Sequence, residues 1–175
     1  ITTYAKQICS SLNKRLTCSI TTNGTLLNKN RIIELAKAGV THYQITIDGV
    51  KEIHDKIKQL PQESAFEKVL KNINLLPSYS ECILRFNYTH ENLKPVEIIN
   101  QLNERLSKEA KNNLTFSIQR VWQEQEKNID NNKVKKLFDL ACESNLQPHT
   151  HLYGMCYADK PDFNCIFPNG KIGKC

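Results

Sequence analysis

The sequence predicts an α/β fold built on parallel strands. Three observations carry that expectation: four β-rich segments, five stretches of helical periodicity, and regular alternation of the two along 175 residues. A strand that must lie parallel to the one before it needs a crossover, and a helix between each strand and the next supplies one.

The elements follow in order. Residues 4–12 carry apolar side chains at Tyr4, Ala5, Ile8, Cys9 and Leu12, a helical spacing. Residues 16–22 are β-rich and end on Asn23-Gly24, a turn signal. Asn28 caps a helix with Ile32, Ile33, Leu35 and Ala36 on one side, stopped by Gly39. Residues 43–47 form a second strand that closes on Asp48-Gly49. Ser64 opens a helix carrying Phe66, Val69, Leu70, Ile73 and Leu76, which stops before Pro77. Residues 82–88 make the third strand, and Pro95 suits the first turn of a helix that reaches Leu106. Residues 114–122 form the fourth strand, 123–132 a polar stretch, and 134–144 the last clear helix. Neither a G-x-G-x-x-G turn nor a Walker loop follows any strand. A complete eight-stranded barrel needs about 250 residues, so this chain supplies only part of one.

Composition narrows the class. Hydrophobic residues at 39% and charged residues at 24% suit a soluble globular domain. No run of eighteen apolar residues occurs, so no membrane span is expected, and no signal peptide opens the chain, so a cytoplasmic protein is expected. The net charge of +6 is spread over lysines interleaved with Glu, Asp and Asn. With aromatics at 7%, that pattern is a solvated surface and not a nucleic-acid footprint.

Seven cysteines, odd in number and irregularly spaced, argue against a disulfide framework. Cys9, Cys18, Cys82 and Cys142 lie in apolar patterns and are expected as small buried side chains. Cys156, Cys165 and Cys175 crowd into the tail among Gly, Pro, Asn and Asp. Thiolates ligate zinc and iron–sulfur clusters, and both want four ligands. Ile166-Phe167 and Lys171-Ile172 flank Pro168-Asn169-Gly170, the pattern of a β-hairpin that would bring Cys156 and Cys175 to one end. A zinc site of the three tail cysteines with His149 or His151 is an alternative.

In parallel α/β folds the ligand lies at the carboxyl ends of the strands. Here those ends read Thr21-Thr22-Asn23-Gly24-Thr25, Thr46-Ile47-Asp48-Gly49 and Arg85-Phe86-Asn87-Tyr88-Thr89. Asn-Gly and Asp-Gly are common turn dipeptides, so each is weak alone. An Arg inside an apolar strand says more, because it needs a partner and a bound carboxylate is a good one.

These residues also carry a resemblance. Thr22-Asn23-Gly24-Thr25-Leu26-Leu27, Gly39-Val40, Thr46-Ile47-Asp48-Gly49-Val50-Lys51-Glu52-Ile53-His54-Asp55, Ser64 to Ile73 and Leu84-Arg85-Phe86-Asn87-Tyr88-Thr89-His90-Glu91-Asn92-Leu93 resemble, in order, the middle of radical S-adenosylmethionine (radical SAM) enzymes. The tail resembles the opening of the SPASM module, whose signature runs Cys, spacer, Gly, four residues, Cys. Thirteen residues separate Cys156 from Gly170 here, and four separate Gly170 from Cys175.

The resemblance implies a partial (β/α)6 TIM-type barrel over residues 1–145, then a linker and the first half of a SPASM β-hairpin module over 146–175. It implies a [4Fe–4S] cluster held by a CxxxCxxC loop, S-adenosylmethionine cleaved to a 5′-deoxyadenosyl radical, and hydrogen abstraction from a peptide or protein substrate. Asn23, Thr46, Asp48, Arg85 and Asn87 correspond to the cofactor-lining positions, with Thr46 near the ribose. Cys156 and Cys175 correspond to ligands of an auxiliary [4Fe–4S] cluster; Cys165 is an extra cysteine within the spacer that matches no motif position, its role open and a buried bystander the favoured reading. The CxxxCxxC loop would precede Ile1, so this stretch is expected to be a piece of the enzyme and inactive alone. In the family's HDxxR motif this chain reads His54-Asp55-Lys56-Ile57-Lys58, which keeps the final charge but loses the bidentate fork. A non-catalytic, peptide-binding relative of the same fold is the competing expectation.

Overall fold

The structure, a computed structural model, describes residues 2–121, 123, 128–150, 163–167 and 169–173. Helix α1 (Thr2–Ser11) leads to strand β1 (Cys18–Thr22), then α2 (Lys29–Lys37), β2 (Val40–Ile47), α3 (Lys51–Lys58), α4 (Ala65–Ile73) and β3 (Glu81–Tyr88). Helices α5 (Pro95–Arg105) and α6 (Lys108–Asn112) precede β4 (Leu114–Arg120), and α7 (Asn131–Glu143) precedes β5 (Pro148–Thr150). A separate hairpin pairs β6 (Cys165–Ile166) with β7 (Ile172–Gly173).

Strands β1 to β5 form one sheet in simple sequential order, and every pair is parallel. An order without reversal has no topological switch point, which excludes the doubly wound class. Crossovers of one hand between sequential strands put all their helices on one face. Burial agrees with that geometry. Tyr43, Ile45 and Ile47 of β2, Cys82, Leu84 and Phe86 of β3, and Phe116 and Ile118 of β4 are buried. They share one core with Ile32, Phe66, Val69, Leu70, Ile73, Ile98, Leu102, Leu137 and Ala141 from the helices. Phe86 and Phe116 stack there with ring centroids 5.9 Å apart. The alternate residues, Gln44, Thr46, Arg85, Asn87 and Gln119, are polar and half-buried on the opposite face. Parallel sheets are ordinarily apolar on both faces. A polar inner face marks the wall of a barrel whose lumen holds something other than helices.

Helix ends follow the expected chemistry. Asn28 Oδ1 accepts from the Arg31 N–H at 2.9 Å, and Ser64 Oγ from the Glu67 N–H at 3.1 Å. Pro95 occupies the first turn of α5. Gly39, at φ +97°, ends α2 in a conformation that favours glycine. The hairpin forms as read: the Phe167 N–H donates to the Lys171 carbonyl at 2.9 Å, and the Gly170 N–H to the Phe167 carbonyl at 2.8 Å.

Three elements go beyond the sequence reading. Helices α3 and α6 add a second helix to two crossovers, and β5 extends the sheet past α7. The eight-residue α3 buries only His54, and β5 is three residues without an apolar run, so neither announces itself by periodicity. The cysteines differ as well. Cys82 is buried, Cys9 and Cys18 are half-buried, and Cys142 is exposed, because α7 turns Leu137 and Ala141 inward instead. Cys165 is half-buried on β6, whereas Cys156, Cys175 and His151 lie outside the described residues.

Candidate functional site at the strand ends

The carboxyl ends of β1, β2 and β3 carry the five expected residues, and the structure links three of them directly. After β1, Asn23 Oδ1 accepts from the Thr25 N–H at 3.2 Å and the Thr25 hydroxyl at 2.9 Å, closing an Asx-type turn. Thr22 Oγ1 accepts from the Gly24 N–H at 3.1 Å. From α4, Asn72 Nδ2 donates to the Gly24 carbonyl at 2.9 Å and fixes the turn from below. The polar Asn72 within the apolar stripe of α4 was the available sequence signal for this clamp.

At the next two ends the linked residues are Asp48, Asn87 and Arg85. Asn87 Nδ2 donates to Asp48 Oδ1 at 3.3 Å, and Asn87 Oδ1 accepts from Arg85 Nε at 2.9 Å. Lys58, from α3, brings its ammonium to 2.8 Å from Asp48 Oδ2. The loss of the bidentate fork at this position therefore does not remove the carboxylate contact: a point charge suffices for one oxygen.

His54 lies one turn earlier on α3 and is fully buried. The Asp48 N–H donates to its Nδ1 at 3.1 Å, so the ring is the neutral Nε2–H tautomer. Burial lowers its pKa, Asp48 pulls it up, and Lys58 adds to the lowering. The 3.7 Å approach of Nδ1 to Asp48 Oδ2 is thus no ion pair. Asn92, absent from the expected site residues, ties the ends together. Its Nδ2 donates to the Asp48 carbonyl at 2.7 Å and the Asn87 carbonyl at 2.9 Å, while its Oδ1 accepts from the Thr89 N–H at 2.6 Å.

Thr46 and Arg85 are register partners on the polar face. Arg85 Nε is engaged, but the two terminal nitrogens of its fork have no partner among the described residues. The same face opens into a cleft of about 620 Å³ toward the other ends of the strands, lined by Gln44, Ile83, Thr115, Ser117, Gln147 and His149 among others. Asn23 is held in its own turn and is not linked to the Asp48–Asn87–Arg85 set by a side-chain bond among the described residues.

A singly wound parallel sheet with polar strand ends and a polar lumen defines a barrel-type α/β ligand-binding domain. The family described as Radical SAM superfamily matches residues 2–102, more than half of the chain, and the chain belongs to that superfamily. It is 32% identical over 97 residues to an AdoMet-dependent heme synthase of Oleidesulfovibrio alaskensis, covering 54% of this chain and 24% of that protein. It is 27% identical over 92 residues to an Fe-coproporphyrin III synthase of Methanosarcina barkeri, covering 52% of this chain and 23% of that protein. The chain thus spans about a quarter of the length of these curated relatives. Its fold matches the solved structure described as native anSMEcpe with bound AdoMet, with a TM-score of 0.55 and 21% identity, over 82% of this chain and 41% of that one. That match supports the partial-barrel architecture.

Radical SAM membership implies a [4Fe–4S] cluster and S-adenosylmethionine. The strand-end donors fit that cofactor: an Arg fork suits its carboxylate, and the Thr46 hydroxyl on the neighbouring strand suits its ribose. For a cluster, no group of three or more His, Cys, Asp or Glu able to hold a metal occurs among the described residues. No helix among them is long and apolar enough to cross a membrane.

Proposed function

We propose that the intact protein is a radical SAM enzyme with a C-terminal SPASM module, acting in the cytoplasm on a peptide or protein substrate, and that this chain supplies cofactor-binding wall of its barrel. One observation carries the cofactor assignment: Arg85 stands on the polar face with Nε held by Asn87 and the rest of its fork unpaired among the described residues. In a chain of this superfamily, the carboxylate of S-adenosylmethionine is the natural occupant of that fork. Thr46, in register with Arg85, offers its hydroxyl to the ribose. Asn23, Asp48 and Asn87 complete the rim.

When bound, the cluster and S-adenosylmethionine supply a 5′-deoxyadenosyl radical that takes a hydrogen atom from the substrate. The share of the chain's own residues is to bind, orient and shield the cofactor. Cys156 and Cys175 are assigned to an auxiliary [4Fe–4S] cluster, supported by their spacing around Gly170 and by the β6–β7 hairpin that lies between them in sequence.

A second reading has its own support. The curated relatives are named for heme and coproporphyrin chemistry, which favours a tetrapyrrole substrate. One experiment separates the two. The full-length protein, reconstituted and reduced anaerobically, is supplied with S-adenosylmethionine and either a deuterium-labelled candidate peptide or a labelled coproporphyrin. Deuterium in 5′-deoxyadenosine from the peptide alone supports the first reading, and from the porphyrin alone the second. Failure to bind or cleave S-adenosylmethionine overturns both and favours a non-catalytic binding relative.

A further inference from the structure

We infer that Lys58 and Asp48 are positioning residues that act through Asn87 to aim the Arg85 guanidinium at a ligand carboxylate. The inference rests on the cofactor reading above, and gives Asp48 its place on that rim as a positioning group and not as a direct contact.

Four side chains from three elements form one directed series. Lys58 Nζ is 2.8 Å from Asp48 Oδ2, Asn87 Nδ2 donates to Asp48 Oδ1 at 3.3 Å, and Arg85 Nε donates to Asn87 Oδ1 at 2.9 Å. Each link dictates the next. A carboxylate only accepts, so the Asn87 group facing Asp48 must be the NH₂. The Asn87 oxygen therefore faces Arg85, where it can only accept, and it takes the Nε–H. A guanidinium held at Nε is fixed in its plane, with the edge formed by the two terminal nitrogens left for a bidentate acceptor.

Several observations show why a relay is needed. Arg85 has no acidic partner of its own among the described residues, so nothing but Asn87 orients it there. Asn87 could flip its amide at little cost if Asp48 were free to turn. The Asp48 backbone is fixed by Asn92 at its carbonyl, 2.7 Å, and by His54 at its N–H, and against that fixed backbone the Lys58 ammonium, 2.8 Å from Oδ2, is the charge that holds the carboxylate. Its Oδ2 is buried and is paired with the Lys58 charge without an aligned hydrogen bond, while Oδ1 accepts from Asn87.

The consequence is specific. Loss of the Lys58 charge releases Asp48, then the Asn87 amide, and finally the plane of Arg85, without removing any group that touches the ligand. Only ligands with a carboxylate should register the change. Decarboxylated S-adenosylmethionine keeps the nucleoside, sulfonium and amine, and lacks only the carboxylate.

The test is equilibrium binding of both compounds to the full-length, cluster-reconstituted protein, without turnover. Lys58→Met is expected to weaken S-adenosylmethionine binding about tenfold and to leave the decarboxylated compound within about twofold of wild type. Lys58→Arg restores the wild-type ratio. Equal weakening of both compounds by Lys58→Met, or no change in either, overturns the inference by giving Lys58 a merely structural or null role. Arg85→Met serves as the control on the underlying reading. If it leaves the ratio of the two affinities at the wild-type value, the carboxylate is not bound there and the reading itself falls. Should Lys58→Met not fold, Asn87→Ser breaks the same series one link further along, between Asp48 and Arg85, and is read by the same ratio.

Discussion

Lys58 meets Asp48 across the junction of α3 and β2, with Nζ 2.8 Å from Oδ2 and both side chains largely buried. Helical spacing makes the pair possible. His54 and Lys58 are four residues apart on α3 and share a face, so one helix face addresses both the backbone and the carboxylate of Asp48. A partly desolvated pair of this kind couples more strongly than a surface pair. A double-mutant cycle on Lys58→Met and Asp48→Ala, read by urea denaturation, should give a coupling of about 1–2 kcal/mol. A value near zero would mean the contact is screened like an exposed ion pair.

His54 makes stability depend on pH. Burial holds its pKa below the ordinary histidine value, against the pull of Asp48. In the unfolded chain the ring titrates near its usual value, about 6.5. The sign follows: the contribution of the neutral ring is fully present above about 6.5 and is lost as pH falls through the lowered folded-state value. The melting temperature should drop between about pH 7 and 5, and the slope should flatten in His54→Gln. By NMR, the His54 ring of the folded protein should stay neutral below about pH 6.5; protonation at or above that value would contradict the assignment.

Asp55, the other half of the same sequence motif, has a different task. Its Oδ1 accepts the Phe66 N–H at 2.9 Å, which caps the first turn of α4 from outside, while Oδ2 takes Lys51 Nζ at 3.0 Å. Burial pushes its pKa up, and the Phe66 N–H, the Ser64 hydroxyl and Lys51 together outweigh that and lower it. Asp55→Ala should cost about 1.5–3 kcal/mol, the range for a charge-assisted hydrogen bond left unmade. Asp55→Asn, which keeps the acceptor, should cost less. Thermal melts of both should separate the cap from the charge, and neither should alter the preference for a carboxylate-bearing ligand.

Legibility in the sequence followed the range of each interaction. Periodicity and caps are local, so Asn28, Ser64, Pro95 and Gly39 marked their helices correctly. Strand ends are local as well, and they named Asp48, Arg85 and Asn87 together. What joins these residues is tertiary. The Asn87 link to Asp48 spans 39 positions in sequence, and the Asn92 link spans 44. No spacing rule reports such pairs. Helix α3 escaped for a related reason: its value lies in one buried His and one partly buried Lys, not in an apolar stripe. Cys142 misled because its apolar neighbours are the buried residues and it is not.

Two glycines set the turns that aim the strand ends, and each should resist even the smallest side chain. Gly24 has φ +76°, and a Cβ there would stand 2.8 Å from Ile45 Cγ2, inside the buried core. Gly49 has φ +139°, and a Cβ would meet Ile53 at 3.1 Å and Asn92 Cβ at 3.3 Å. Backbone strain at positive φ costs about 1–3 kcal/mol for a residue with a Cβ, and the contacts add to it. The two sites differ in what must yield. At Gly24 the obstacle is a packed Ile methyl, so Gly24→Ala should chiefly destabilise the fold, by about 2–4 kcal/mol in urea denaturation. At Gly49 the displaced group includes Asn92, which holds the ends of β2 and β3 together, so Gly49→Ala should also loosen the Asp48–Asn87 geometry. Its expected signature is a loss of stability together with a reduced preference for S-adenosylmethionine over the decarboxylated form, whereas Gly24→Ala should leave that preference closer to wild type.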